Sequence, residues 1–207
     1  HHDVLIVGFG RVGQVVGRLL NVLGYSFTAL ERDSSRVELV RRYGATVHYG
    51  DASRLDLLRA AGAEHAKMFV LAVSDLEESV NIAETVMRNF PHLKIVARAR
   101  NRRHAHKLMD LGIEHIFRET LLSSLAMSEL VLNNLGQTPD EARHIIYSFH
   151  ERDTQLLLEQ HAIHDSEELL IQSALTLVSD LSLELSLKLV NVLGVSRKLP
   201  RHVFRMP

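Results

Sequence analysis

The sequence predicts an α/β fold, a doubly wound parallel sheet followed by a helical dimerisation and C-terminal extension. Three observations carry this. Apolar, β-branched runs centred on Leu5, Thr28, Val47, Val70, Val96 and His115 alternate with segments whose apolar residues recur at helical spacing. Glycines stand where those helices should stop. After Phe117 the alternation ends and only helical patterns follow. Strands separated by helices make βαβ units with right-handed crossovers, and such units build parallel sheets.

The first run, 4–7, breaks into Gly8-Phe9-Gly10-Arg11-Val12-Gly13 and resumes as a helix over 11–23, with Val12, Val15, Val16, Leu19, Leu20 and Leu23 on its apolar face. A G-x-G-x-x-G on a strand-to-helix turn reads as a Rossmann-type nucleotide cradle, with a ligand-free turn of the same kind as the alternative. Gly8 permits the tight turn, Gly10 lets a pyrophosphate approach the backbone, and Gly13 lets the helix pack closely on the strand. The N–H groups at the helix start attract phosphate. A second run, 25–30, ends at Glu31, where an acid accepts hydrogen bonds from ribose hydroxyls. The plainer alternative for Glu31 is a solvated acid at a strand end.

Further helices are expected over 35–43, 53–61, 76–89 and 102–111. Gly24, Gly44, Gly62 and Gly112 each follow a helix at the usual C-terminal position. Asp33 or Ser34, Asp51 or Ser53, and Ser74 or Asp75 offer N-cap oxygens. Ligands of such sheets bind beyond the carboxyl ends of the strands. There the sequence puts the glycines with Phe9, Arg11 and Val12, then Glu31 and Arg32, then Asp51-Ala52, then Ser74-Asp75, and finally Arg98. Asp51 suits an adenine amino group, and Arg11 or Arg98 suits phosphate. Capping alone also selects acids at 51 and 75, so both roles stay open for them.

From 119 to 135 the apolar residues make a wide helical face with no strand after it. Gly136 stops that helix, Thr138 caps the next, and Pro139 takes its first position. The second helix is expected over about 140–149, leading through His150-Glu151-Arg152-Asp153 to more helix. Two such helices leave apolar faces that suit a dimer contact, with packing back on their own domain as the alternative. The leucine-rich stretch from 169 to 195 reads as helix on length, although 181–187 also alternates with period two. A basic tail follows. The organisation is therefore a nucleotide-binding domain over 1–118, a helical dimerisation extension over 119–160 and a C-terminal helical segment over 161–207.

Composition narrows the function. With 207 residues and 46% apolar content, the chain can bury a real core. Its 24 basic and 25 acidic residues nearly balance, so no global field favours nucleic acid or anionic lipid. Without cysteine there is no disulfide framework or thiolate metal site. The pairs His104/His106 and His161/His164 lack the acid or Cys partners of zinc spacing, so no metal is expected. No hydrolase, zincin or P-loop motif is present, and no catalytic residue is assigned. No stretch is apolar for long enough to span a bilayer, which predicts a soluble piece. His1-His2, set directly against the first strand, reads as a tag remnant or the cut edge of a longer chain.

Several segments together resemble one family. Val7-Gly8-Phe9-Gly10-Arg11-Val12-Gly13, Tyr49-Gly50-Asp51-Ala52-Ser53, the stretch 90–100 ending in Arg98-Ala99-Arg100, and Arg118-Glu119-Thr120 look like the regulatory domain of Kef-type potassium efflux systems. Such domains are called RCK or KTN. The resemblance covers 3 to about 160. It implies a homodimer on the cytoplasmic side of the inner membrane, carrying AMP or NAD(H) and fused to a membrane domain that exchanges potassium for protons. In glutathione-gated members an arginine and an asparagine hold the effector at the dimer interface. Arg118 matches the first, whereas Asp153 stands where those members have Asn, so glutathione or its adducts are expected to bind weakly.

Two other functions compete. An NAD-dependent oxidoreductase would carry acid–base residues in a further domain, and no such set is evident in the helical part. A dimerising helical scaffold with a vestigial nucleotide domain would bind no nucleotide at all.

Overall fold

A computed structural model describes residues 2–42, 46–166, 168–173, 175, 179 and 182. Its elements run β1 (Val4–Val7), α1 (Arg11–Val22), β2 (Phe27–Glu31), α2 (Ser34–Arg42), β3 (Thr46–Tyr49), α3 (Leu55–Ala60), β4 (Met68–Leu71), α4 (Leu76–Asn89), β5 (Lys94–Ala99), α5 (Arg102–Asp110), β6 (His115–Arg118), α6 (Leu121–Asn134) and α7 (Pro139–His161). The six strands pair in parallel in the order β3-β2-β1-β4-β5-β6. All six lie where the sequence places them. The order reverses between β1 and β4, with Val7 beside Leu30 on one side and Leu71 on the other, so the crevice of this sheet opens above β1.

The central strands read as continuous apolar runs because helices cover both sheet faces. All of β2 and three of the four residues of β1 are buried. Phe9 and Phe27 stack with centroids 5.9 Å apart, and Gly17 of α1 sits against them. A Cβ at Gly17 would come within 2.8 Å of the Phe9 ring, so this small residue sets how closely α1 approaches the sheet. Burying each of these rings stabilises the fold by about 1.5–3 kcal/mol.

Helix ends follow local chemistry. Gly24, Gly62 and Gly112 have φ of 75°, 88° and 83° and stop their helices as expected, while Gly44 lies outside the described residues. Asp75 caps α4 by accepting from the Glu78 N–H at 2.9 Å. At α3 the expectation needs correcting. The helix begins at Leu55, because Asp51 accepts from the Ser53 N–H within the preceding turn instead of capping a helix from 53.

The chain divides into two compact units, 1–122 and 123–207. In the second, α7 is a single helix of 23 residues, and the expected change near 150 is absent. Thr138 and Glu141 form a capping box with Pro139 in the first turn. Past Phe149 the charged residues support the helix: Tyr147 donates to Glu151, Gln155 donates to Glu159, and Arg152 pairs with Glu159. Residues 169–173, 175, 179 and 182 are helical, and the rest of the leucine-rich stretch and the basic tail lie outside the described residues. Among the described residues no helix is long and apolar enough to cross a membrane.

Candidate functional site

The turn after β1 is shaped by its glycines, each for a different reason. Gly8 has φ +85°, and a Cβ there would meet the Ala72 backbone at 3.1 Å. A Cβ on Gly13 would lie 2.2 Å from the Gly8 carbonyl oxygen, so only glycine lets α1 start this close to its strand. Gly10 differs. Its φ of −77° is open to any residue, and the nearest atom to an added Cβ is an Arg36 guanidinium nitrogen at 3.7 Å. Protein packing does not require glycine at 10.

Glu31 closes the turn from the side of β2. Its Oε2 accepts from the Phe9 N–H at 2.7 Å, and its Oε1 accepts from the Asp33 N–H at 2.9 Å. The residue is 3% exposed, with Arg36 Nη1 at 3.8 Å from Oε2. Each carboxylate oxygen keeps a further lone pair for a hydroxyl donor.

A cavity of about 360 Å³ opens over this turn at the carboxyl ends of the strands. Gly8, Gly10, Arg11, Glu31, Arg32, Ala52, Ser74 and Arg98 line it. The sequence reaches these residues from five separate segments, and the strand order brings them together. Phe9 contributes its backbone donor to Glu31 and buries its ring. Gly13 serves helix packing and half-buried Val12 lies outside the lining, as do Asp51 and Asp75, which turn their carboxylates to Ser53 and Glu78. Sequence reasoning missed Arg36 and Glu78. Arg36 stands over Glu31 and pairs with Asp33 at 3.3 Å; Glu78 pairs with Arg32 at 3.0 Å across the cavity mouth. Helical spacing from Asp33 and Asp75 is the signal that finds them.

Arg98 is the buried cation of the site. It donates from Nη1 to the Ala72 carbonyl at 2.9 Å and pairs through Nη2 with Glu119, and its Nε is buried without a hydrogen-bond partner. Its neighbour His104 is fully buried in the first turn of α5, where Nδ1 accepts from the Arg100 N–H at 3.2 Å. Burial, and secondarily the positive charge of Arg98, push the His104 pKa down from its ordinary value.

Comparison with known proteins now identifies the fold and its extension. Residues 4–119 match the TrkA-N domain, and residues 123–186 match the potassium efflux system KefB C-terminal domain. The Kef C-terminal domain of Shewanella denitrificans, described in its AMP-bound form, is 39% identical; the match covers 77% of this chain and 98% of that one, with a TM-score of 0.71. This chain belongs to the Kef-type RCK/KTN regulatory domains. The TrkA-N domain of the inner membrane protein YbaL from Escherichia coli shares the fold at 24% identity and TM-score 0.58, over 63% of this chain and 97% of that one. So does the GsuK channel bound to NAD, at 18% identity and TM-score 0.56, over 62% of this chain and 23% of that one. Domains of this kind are regulatory parts of potassium transport systems, not enzymes.

In this Kef-type domain the two residues singled out for an effector lie in different units. Arg118 ends β6, half-buried beside Ala99, and Asp153 lies 6% exposed on α7.

Proposed function

We propose that this chain is the ligand-sensing regulatory part of a potassium/proton antiporter, binding an adenine nucleotide over the glycine turn and gating a membrane domain as a homodimer. The observation that carries this is the cavity itself. It joins a backbone left open at Gly10, the buried carboxylate of Glu31 and the buried guanidinium of Arg98 in one cleft. Gly8, Gly10, Arg11, Arg32, Ser74 and Arg98 surround the phosphate and ribose, and Glu31 selects an unmodified 2′-hydroxyl. Between AMP and NAD(H), the AMP-bound relative at 39% identity favours AMP.

The dimer draws support from α6, which exposes Leu122, Met127, Leu130 and Val131, with Leu135 exposed just after it. Glutathione is a weaker effector in this proposal, because Asp153 accepts hydrogen bonds when ionised but donates none to an anionic tripeptide. The test is the mass of the nucleotide released from purified protein by denaturation. AMP or NAD(H) at near-stoichiometric yield supports the proposal. Protein that releases no nucleotide and binds none on titration refutes it.

A further inference from the structure

We infer that Glu119 is a built-in competitor for the nucleotide phosphate, holding two of the arginines of the cleft until a phosphate displaces it. This rests on the nucleotide-binding proposal above and goes beyond it. Two cations flank the glycine turn: Arg11, the first residue of α1, and Arg98, near the end of β5. Both reach the same carboxylate. Glu119 pairs with Arg98 Nη2, and its Oε1 lies 3.8 Å from Arg11 Nη2.

The position of Glu119 is fixed by the backbone. Its N–H donates to the Ala99 carbonyl at 3.0 Å, extending the β5–β6 ladder by one residue beyond β6. Its side chain is 12% exposed, so water screens the Arg98 pair poorly. The Arg11 contact is different: Arg11 is 87% exposed, and such a pair contributes little by itself. Competition therefore centres on Arg98.

An anion entering the cleft meets a cation already neutralised and a fixed negative charge behind it. It must draw Arg98 away from Glu119 to gain a charge-assisted bond of its own. Two anions sharing one guanidinium are thermodynamically linked, so whatever Glu119 gains from Arg98 the phosphate loses, and the reverse. Glu119 stands two residues before Leu121, where α6 begins. Phosphate occupancy is thereby coupled to the charge balance at the entrance to the helical extension. The device acts on ligands that carry a phosphate, such as a phosphate monoester, and leaves an uncharged nucleoside untouched.

The experiment is calorimetric titration of the whole chain, unmutated and as Glu119→Gln and Glu119→Ala, with AMP and with adenosine. Thermal melts confirm that each variant is folded, and the second substitution covers failure of the first. Expected is AMP binding about tenfold tighter in the variants, within the usual range of coupling between linked sites, with adenosine affinity unchanged within about twofold, as an uncharged ligand has no part in the competition. Unchanged or weaker AMP binding in the folded variants, or an equal gain for adenosine, overturns the inference. If the unmutated chain binds AMP and the variants gain nothing, only the competitor role falls. If none of the three binds AMP, the nucleotide proposal falls with it.

Discussion

The Glu31 carboxylate at the end of β2 holds the backbone of Phe9 in the glycine turn by a 2.7 Å hydrogen bond. The second oxygen holds the Asp33 N–H at 2.9 Å, so one buried acid ties two loops of the cleft together. Removing it leaves backbone donors without their acceptor, which costs about 1–3 kcal/mol for each buried group. Glu31→Ala should lower the urea midpoint by a corresponding amount. An unchanged midpoint would mean that water replaces the carboxylate without loss.

In the proposed nucleotide site the same residue sets cofactor choice. A carboxylate beside the ribose repels a 2′-phosphate, so NADP(H) should bind more weakly than NAD(H), by about tenfold or more for a loss of roughly 1.4 kcal/mol. Competition titrations with the two dinucleotides measure this. Equal affinities would remove Glu31 from the ribose site.

Two glycines two residues apart should respond in opposite ways. Gly8→Ala forces a side chain into φ +85° and against Ala72, a cost of about 1–3 kcal/mol. Gly10→Val meets only the flexible Arg36 guanidinium, 3.7 Å from the added Cβ, at an ordinary φ of −77°, and should melt within a few degrees of the unmutated chain. Thermal melts of the two variants side by side check this contrast.

Acid should weaken the fold through His104. Burial and Arg98 lower its pKa in the folded state, so the unfolded chain takes up the proton first. The neutral ring contributes stability above the ordinary histidine pKa of about 6.5, and this is lost as pH falls toward the depressed folded value. Protonation also places a hydrogen on Nδ1, which now accepts from the Arg100 N–H. Urea midpoints should fall between pH 7.5 and pH 5.5, and His104→Asn should flatten that dependence.

The apolar face of α6 gives the dimer its own test. Met127→Glu with Leu130→Glu places charges on two exposed positions and should convert a dimer to a monomer in light scattering. A dimer that persists would place the interface elsewhere.

Much of the fold is legible in the sequence because buried parallel strands and glycine stops leave local signals. The six strand centres and the ends at Gly24, Gly62 and Gly112 are of this kind. So is Thr138-Pro139, whose capping box forms as its residue types require. The start of α3 is less legible, because an Asp three or four residues ahead of a helix serves a turn as readily as a cap. The uninterrupted α7 is obscured by His150-Glu151-Arg152-Asp153, a polar stretch that holds a helix through ion pairs several residues apart. In the site, Glu31 and the glycines follow from spacing within a single βαβ unit. Arg36 and Glu78 lie at helical spacing from Asp33 and Asp75, and the strand order brings them to one cleft. The pairing of Glu119 with Arg98 depends on β5 and β6 being neighbours, which no local pattern records.

The most direct test of nucleotide sensing is titration of the whole chain with AMP, unmutated and as Gly10→Val, by calorimetry at one protein concentration and salt. Binding at one site per chain in the unmutated protein, abolished in a Gly10→Val variant that still melts normally, is the expected result. Equal AMP affinity in the two proteins, or none in the unmutated one, would contradict a phosphate seated on the backbone at Gly10.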